Sequence, residues 1–188
     1  MEISLQFDHH YKVEEIWGTA GYPNATRKIF YPGASEKGGK DGHLLKIIPA
    51  TGETWIGSFA PFHPKSNFAS RVMSCPDPNA ICVISSGAGY IVRTDNPSDW
   101  QAIPSIPVCD ARSVLDKHLL VFSDFTNLVA YGAEGLKWKS PQVSSDGIRI
   151  INIADGQIAA EGWDAAQRKK IRISVDAEDG SVLSGSTP

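Results

Sequence analysis

Leu128-Val129-Ala130-Tyr131, then Gly132-Ala133-Glu134-Gly135, then Leu136-Lys137-Trp138: an apolar run, a tight polar turn and a bulky apolar residue follow one another. The same succession occurs three more times. It runs from Leu44-Leu45-Lys46-Ile47-Ile48 through Thr51-Gly52-Glu53-Thr54 to Trp55. It runs from Tyr90-Ile91-Val92-Arg93 through Asn96-Pro97-Ser98-Asp99 to Trp100. It runs from Ile171-Arg172-Ile173-Ser174-Val175 through Asp179-Gly180-Ser181-Val182 to Leu183. The closing residues stand at 55, 100, 138 and 183, in steps of 45, 38 and 45. Self-similarity near 40–45 residues marks an architecture in which each repeat is one four-stranded sheet.

The punctuation agrees. The 17 glycines and 12 prolines are spread along the chain and break it into short apolar runs, which is the all-β pattern. Sustained 3.6-residue periodicity is nearly absent. The best helical candidate, residues 163–170, is short and reads equally as a strand-to-strand loop. Asp155-Gly156 predicts a two-residue hairpin turn, and Ser85-Ser86-Gly87-Ala88-Gly89 reads as another. Four repeats of about 45 residues consume all 188, and a lone sheet cannot bury its apolar face, so the sheets must stack. The expected fold is an all-β small β-propeller with four blade-like, four-stranded antiparallel repeats, in one domain, near residues 1–60, 61–105, 106–142 and 143–188. The alternative is an irregular β-sandwich. In the first repeat, residues 12–17 and 28–31 are read as an inner pair of strands. Residues 3–7 alternate apolar and polar and are read as a closing strand beside 181–183. A half-ring completed by a second copy is the other closure, so the chain is expected as a monomer or a homodimer. Trp55, Trp100 and Trp138 are expected at equivalent places, at the start of outer strands.

The stretch Phe122-Ser123-Asp124-Phe125-Thr126-Asn127-Leu128-Val129-Ala130-Tyr131 and its continuation to Trp138 resembles a quinoprotein-type β-propeller repeat. Such repeats carry a strand, a small-polar turn, a Leu-x-Ala-x strand, an Asp/Glu-Gly turn and a Trp. The likeness is strongest over residues 119–138 and partial over 44–55 and 90–100. It implies a fold and no activity, because similar repeats occur in enzymes, scaffolds and inhibitors.

Totals narrow the classes of function. With 18 Lys and Arg against 21 Asp and Glu, the net charge is −3, without the basic surplus of a nucleic-acid binder. No run approaches 18 apolar residues, so no membrane-spanning segment is expected. Residues 1–10 lack the basic and apolar regions of a signal peptide, so the expected compartment is the cytoplasm. The 3 cysteines, Cys75, Cys82 and Cys109, are an odd number and read as buried small hydrophobes. Cys75 and Cys82 flank a Pro-Asp-Pro-Asn turn, where a disulfide is the other reading.

No catalytic motif, metal-ligand set or cofactor fingerprint is legible. The expectation is therefore no catalytic residue, no metal and no cofactor. Arg71, Arg112 and Arg149 each stand near the start of an expected inner strand, at steps of 41 and 37. A ring of guanidinium forks would hold an anion or carboxylate; pairing with Asp110, Asp146 or Asp155 is the plainer reading. Trp17, Tyr22, Tyr31 and Trp163 interrupt the repeat and are candidates for contact with a protein partner. The function expected is a non-catalytic binding module holding a protein partner on one face, of the inhibitor or immunity type. The alternatives are a small hydrolase or lyase using the central channel, with Arg71, Arg112 and Asp110, or a half-propeller subunit of a homodimeric ring. A polar, converging pocket speaks for the enzyme, and a filled channel beside an apolar patch for the binder.

Overall fold

The computed structural model describes residues 1–16, 27–33, 42–63 and 68–185. Among the described residues, every regular element is a strand, apart from one turn of 3-10 helix at Leu115–Lys117. The chain divides into two compact units, Met1–Pro104 and Ser105–Pro188.

The first unit contains β1 (Glu2–Ser4), β2 (Tyr11–Ile16), β3 (Arg27–Tyr31), β4 (His43–Pro49), β5 (Trp55–Phe59), β6 (Arg71–Ser74), β7 (Ala80–Ser85), β8 (Ala88–Arg93) and β9 (Trp100–Ala102). They form a four-stranded sheet in the order β2-β4-β5-β3 and a five-stranded sheet in the order β1-β6-β7-β8-β9. Two expectations fail here. Residues 12–16 and 28–31 are not an inner pair: β2 pairs antiparallel with β4, and β3 lies at the opposite edge, parallel to β5. Nor does the N-terminus close on residues 181–183. β1 runs parallel to β6, with Glu2 opposite Arg71, Ile3 opposite Val72 and Ser4 opposite Met73. Alternation within residues 3–7 qualified them as a strand, but alternation carries no information about which edge they join.

The second unit contains β10 (Asp110–Val114), β11 (Leu119–Ser123), β12 (Leu128–Gly132), β13 (Gly135–Lys139), β14 (Arg149–Ala154), β15 (Gln157–Asp164), β16 (Lys169–Asp176) and β17 (Val182–Ser184). They form two plain meanders, β10-β11-β12-β13 and β14-β15-β16-β17. The central strands β7 and β11 are buried at every position. Their sequences, Ala-Ile-Cys-Val-Ile-Ser and Leu-Leu-Val-Phe-Ser, are correspondingly apolar throughout, as strands covered on both faces must be. Strands covered on one face alternate instead: Leu45 and Ile47 of β4, and Ile171, Ile173 and Val175 of β16, point into the core.

The candidate helix at 163–170 is a hairpin. β15 continues through Trp163 to Asp164, the chain turns, and β16 begins at Lys169. Asp164 decides this. Its buried carboxylate accepts the Gln167 backbone N–H at 2.9 Å and the Gln167 side-chain amide at 2.7 Å. Arg168 then takes φ +50°, a left-handed step that ends any helical run. The Asp155-Gly156 and Ser86-Gly87 pairs have positive φ at both residues, the geometry that matches the twist of adjoining strands.

Each unit is fastened by one indole. Trp55 Nε1 donates to the Thr94 carbonyl at 2.8 Å, and Trp138 Nε1 to the Ala177 carbonyl at 3.0 Å. Both bonds span 39 residues and reach from one sheet to the next. The three tryptophans are not equivalent in strand position. Trp55 opens β5, third in its sheet; Trp100 opens the edge strand β9; Trp138 is the fourth residue of the edge strand β13. Their burial differs in the same way: Trp55 and Trp138 are buried, while Trp100 is half-buried. Around Trp55 the core gathers Tyr31, Phe59 and Tyr90. Tyr31 stacks on Phe59 at 4.8 Å and donates its hydroxyl to the Pro97 carbonyl at 2.8 Å. Around Trp138 lie Val121, Leu128, Ile150, Ile158, Ile173 and Val175. Gly180, at φ +76°, fits beneath that indole: a Cβ there would stand 2.5 Å from a ring carbon.

Trp55→Ala and Trp138→Ala should each cost about 3–5 kcal/mol, the range for large aromatic truncations in a packed core. Trp100→Ala should cost clearly less. Equilibrium urea unfolding measures all three, and equal losses at the three positions would contradict the anchoring role.

Candidate functional site

The second unit contains a cavity of about 590 Å³ where the start of β10, the segment leading into β14, the end of β15 and the start of β16 meet. Its walls carry Arg112, Arg149 and Lys170 against Asp110, Asp146 and Glu161, with Trp163, Ile148, Gly147, Gly162 and Cys109 between them. Sheet geometry places these groups. Asp110 and Arg112 are two apart on β10 and share a face. On the other sheet Glu161 stands between Arg149 of β14 and Arg172 of β16, and Trp163 lies opposite Lys170. Hence Glu161, Trp163 and Lys170 line one face.

The backbone next to the cavity is held by Ser144. Its buried hydroxyl oxygen accepts the Trp163 N–H at 2.9 Å and lies 3.2 Å from the Gly147 carbonyl, to which it donates. Gly162 is required beside it, since a Cβ there would come within 2.8 Å of the Ser144 hydroxyl and of Ile173. The entry of β14 is tied to the neighbouring sheet by Ser123, whose hydroxyl donates to the Ile148 carbonyl at 2.7 Å.

The expected arginine triple divides. Arg112 and Arg149 line the cavity together. Arg71 belongs to the first unit, where Glu2 Oε2 accepts from its Nε at 3.0 Å and lies 2.9 Å from its Nη2. Arg112 is ion-paired to Asp110 at 3.1 Å, as the plainer reading had it. Arg149 is exposed and forms no ion pair with a described residue. Three carboxylates share the walls with three cations, so the cavity is charge-mixed, and a bare anion meets repulsion as well as attraction there.

Of the aromatic candidates, Trp163 lines the cavity. Trp17 and Tyr22 lie outside the described residues. Tyr31 is 1% exposed, because its ring fills the space beside Trp55 and Phe59 and its hydroxyl is committed to Pro97.

The three cysteines are thiols. Cys75 and Cys82 are buried, and burial pushes both thiols well above their ordinary range. Cys109, at the cavity wall, is pushed up to about 11, first by burial, against the opposing Ile148 N–H. In the first unit His43 Nδ1 lies 2.8 Å from Ser85 Oγ, an arrangement that superficially suggests a nucleophile and its base. Ser85 is fully buried and donates its proton to the Phe59 carbonyl at 2.9 Å. It therefore accepts from His43 and has no proton for a base to take. Burial also lowers the His43 pKa, with Glu15 opposing, so the ring is held neutral.

Among the described residues no group of three or more His, Cys, Asp or Glu side chains is placed to hold a metal ion. No described helix is long and apolar enough to cross a membrane. No protein-family model matches the chain, and no curated protein matches it in sequence.

Lys170, Glu161 and Ser144 were not singled out in the sequence, and Asp146 was named there only as a partner for an arginine. Lys170 becomes legible once 157–176 is taken as a hairpin about Asp164, which sets it opposite Trp163, and Glu161 once β14 is paired to β15, which sets it opposite Arg149. Asp146 and Ser144 lie in a loop, where no periodicity points.

The raised thiol pKa predicts how Cys109 reacts. Thiolate is the nucleophile, so alkylation of native Cys109 by iodoacetamide should rise with pH toward a midpoint near 11, well above the ordinary value of about 8.5. A midpoint at the ordinary value would show that the cavity wall does not desolvate the thiol.

Proposed function

We propose that this protein is a non-catalytic binding module that holds a protein partner at the charge-mixed cavity of its second unit. The observation that carries the reading is the lining itself: three cations and three carboxylates around Trp163, with the exposed Arg149 at one edge. Alternating charge beside an aromatic suits a polypeptide segment, which presents both signs and an apolar surface together. An inhibitor or immunity-type role is one form of this reading. The four sheets are taken as blades of a small propeller of quinoprotein-like repeats. Support comes from the blade-length spacing of the sequence and from the two matching indole anchors.

A second reading, a hydrolase or lyase, draws on the same lining, and a polar, converging pocket is the feature by which the sequence would favour it over the binder. Within it, Arg112 and Arg149 would orient an anionic substrate and Glu161 or Asp110 would move a proton. The tight Arg112–Asp110 pair speaks against a free base at Asp110.

Site-specific photo-crosslinking separates the two readings. A benzoylphenylalanine at Lys170, on the cavity wall, should give one discrete protein adduct in host extract, and the same group at the exposed Lys137 of β13 should give none. Arg112→Glu together with Lys170-site labelling should abolish the adduct. Absence of any Lys170-specific adduct, with a small-molecule thermal shift that Glu161→Gln removes, would replace the binding reading by the enzymatic one.

A further inference from the structure

The two units share internal landmarks. Trp55 bonds the residue that follows β8 and Trp138 the residue that follows β16. Those acceptor residues make a second matching bond. The Thr94 N–H donates to the Asn79 carbonyl, just before β7, and the Ala177 N–H to the Gly156 carbonyl, just before β15. The strand register then aligns the first strands. Arg71 faces Ile84, the fifth residue of β7, and Arg149 faces Glu161, the fifth residue of β15. Val72 and Ile150 follow in step, facing Val83 and Ala160. β6 and β14 are therefore equivalent strands, each the first of an antiparallel meander, and Arg71 and Arg149 equivalent residues.

Their surroundings differ. On β6 the outer edge is covered by β1, which runs parallel and sets Glu2 against Arg71. Arg71 is half-buried and Met73 is buried there. On β14 no described strand pairs with the outer edge. Arg149 is exposed, and Ile151, pushed out at a bulge between Ile150 and Asn152, is 52% exposed. An open edge presents unpaired backbone donors and acceptors, a template for another strand.

Resting on the binding reading above, we propose that the partner supplies an extended segment that adds in parallel to the β14 edge at Arg149–Ile151, with an acidic side chain on Arg149. The chain's own β1 on β6 is the pattern for this occupant: an acidic residue first, an apolar residue next, then a small one. Main-chain bonds to the edge give affinity in such strand addition and the side-chain contacts give specificity. The Arg149 fork accepts a carboxylate with charge-assisted bonds. The bulge at Ile151 sets the far limit of pairing, and its exposed side chain offers an apolar contact to the incoming strand.

The probe is an acetylated, amidated peptide with the sequence of residues 2–7, titrated into the isotope-labelled full chain and followed by amide NMR. Saturable shifts and slowed hydrogen exchange should appear at Arg149–Ile151. Arg149→Glu should weaken binding at least tenfold with the melting temperature unchanged, and a peptide carrying Lys in place of its Glu should restore it. Three results would overturn the proposal: no saturable binding, binding indifferent to Arg149→Glu, or shifts confined to Arg71–Met73, where the peptide would merely exchange with β1. If a Lys170-specific crosslink persists while the peptide fails, the partner binds the cavity by another mode and the binding reading stands without strand addition. If both fail, the binding reading goes too.

Discussion

One hydrogen bond per unit, from a buried indole to the carbonyl just past the next-to-last strand of the neighbouring sheet, fixes how these sheets pack. A four-stranded antiparallel sheet has one face to bury and cannot do so without a neighbour. Apolar contact brings two sheets together but is non-directional. The indole N–H adds direction, because a buried donor left without an acceptor is costly. Trp55 with Thr94 and Trp138 with Ala177 each meet that demand at a single relative placement of two sheets. Tyr31, Phe59 and Tyr90 pack around the first, and Gly180 leaves room for the second. Ser123 ties the entry of β14 to the sheet before it, so the cavity wall follows from the same packing.

The architecture was legible where it depended on local chemistry. Period-two alternation in Ile171-Arg172-Ile173-Ser174-Val175, continuous apolar runs at 80–85 and 119–123, and the Asp155-Gly156 turn all specify strands through the residues themselves. Long-range pairing was not legible. Residues 2–4 could satisfy their backbone on any free edge, and joined β6. β3 joined β5 in parallel, although residues 28–31 read as well for an inner position. The helix-like composition of 163–170 yielded to a local turn, in which the Asp164 carboxylate holds Gln167 three residues on and the flanking strands pair across it.

The candidate site shows the same division. Arg112 and Arg149 could be chosen from spacing because both lie in the first strand of a sheet, Arg149 opening β14 and Arg112 standing third in β10. Their environment could not be read that way. Asp110, Asp146 and Glu161 turn an expected ring of positive charge into a mixed surface, and those carboxylates reach it through register and a loop. The burial of Tyr31 was hidden for a related reason: its stacking partner, Phe59, lies 28 residues away.

The equivalence of β6 and β14, one edge covered and the other open, is the feature on which the functional account turns. Hydrogen–deuterium exchange on the full chain without a partner measures it directly. The outward-facing amides of Arg71–Met73 should exchange slowly beneath β1, and those of Arg149–Ala154 should exchange fast. Equal, strong protection on both strands would mean that the β14 edge is already paired, and the account would be wrong.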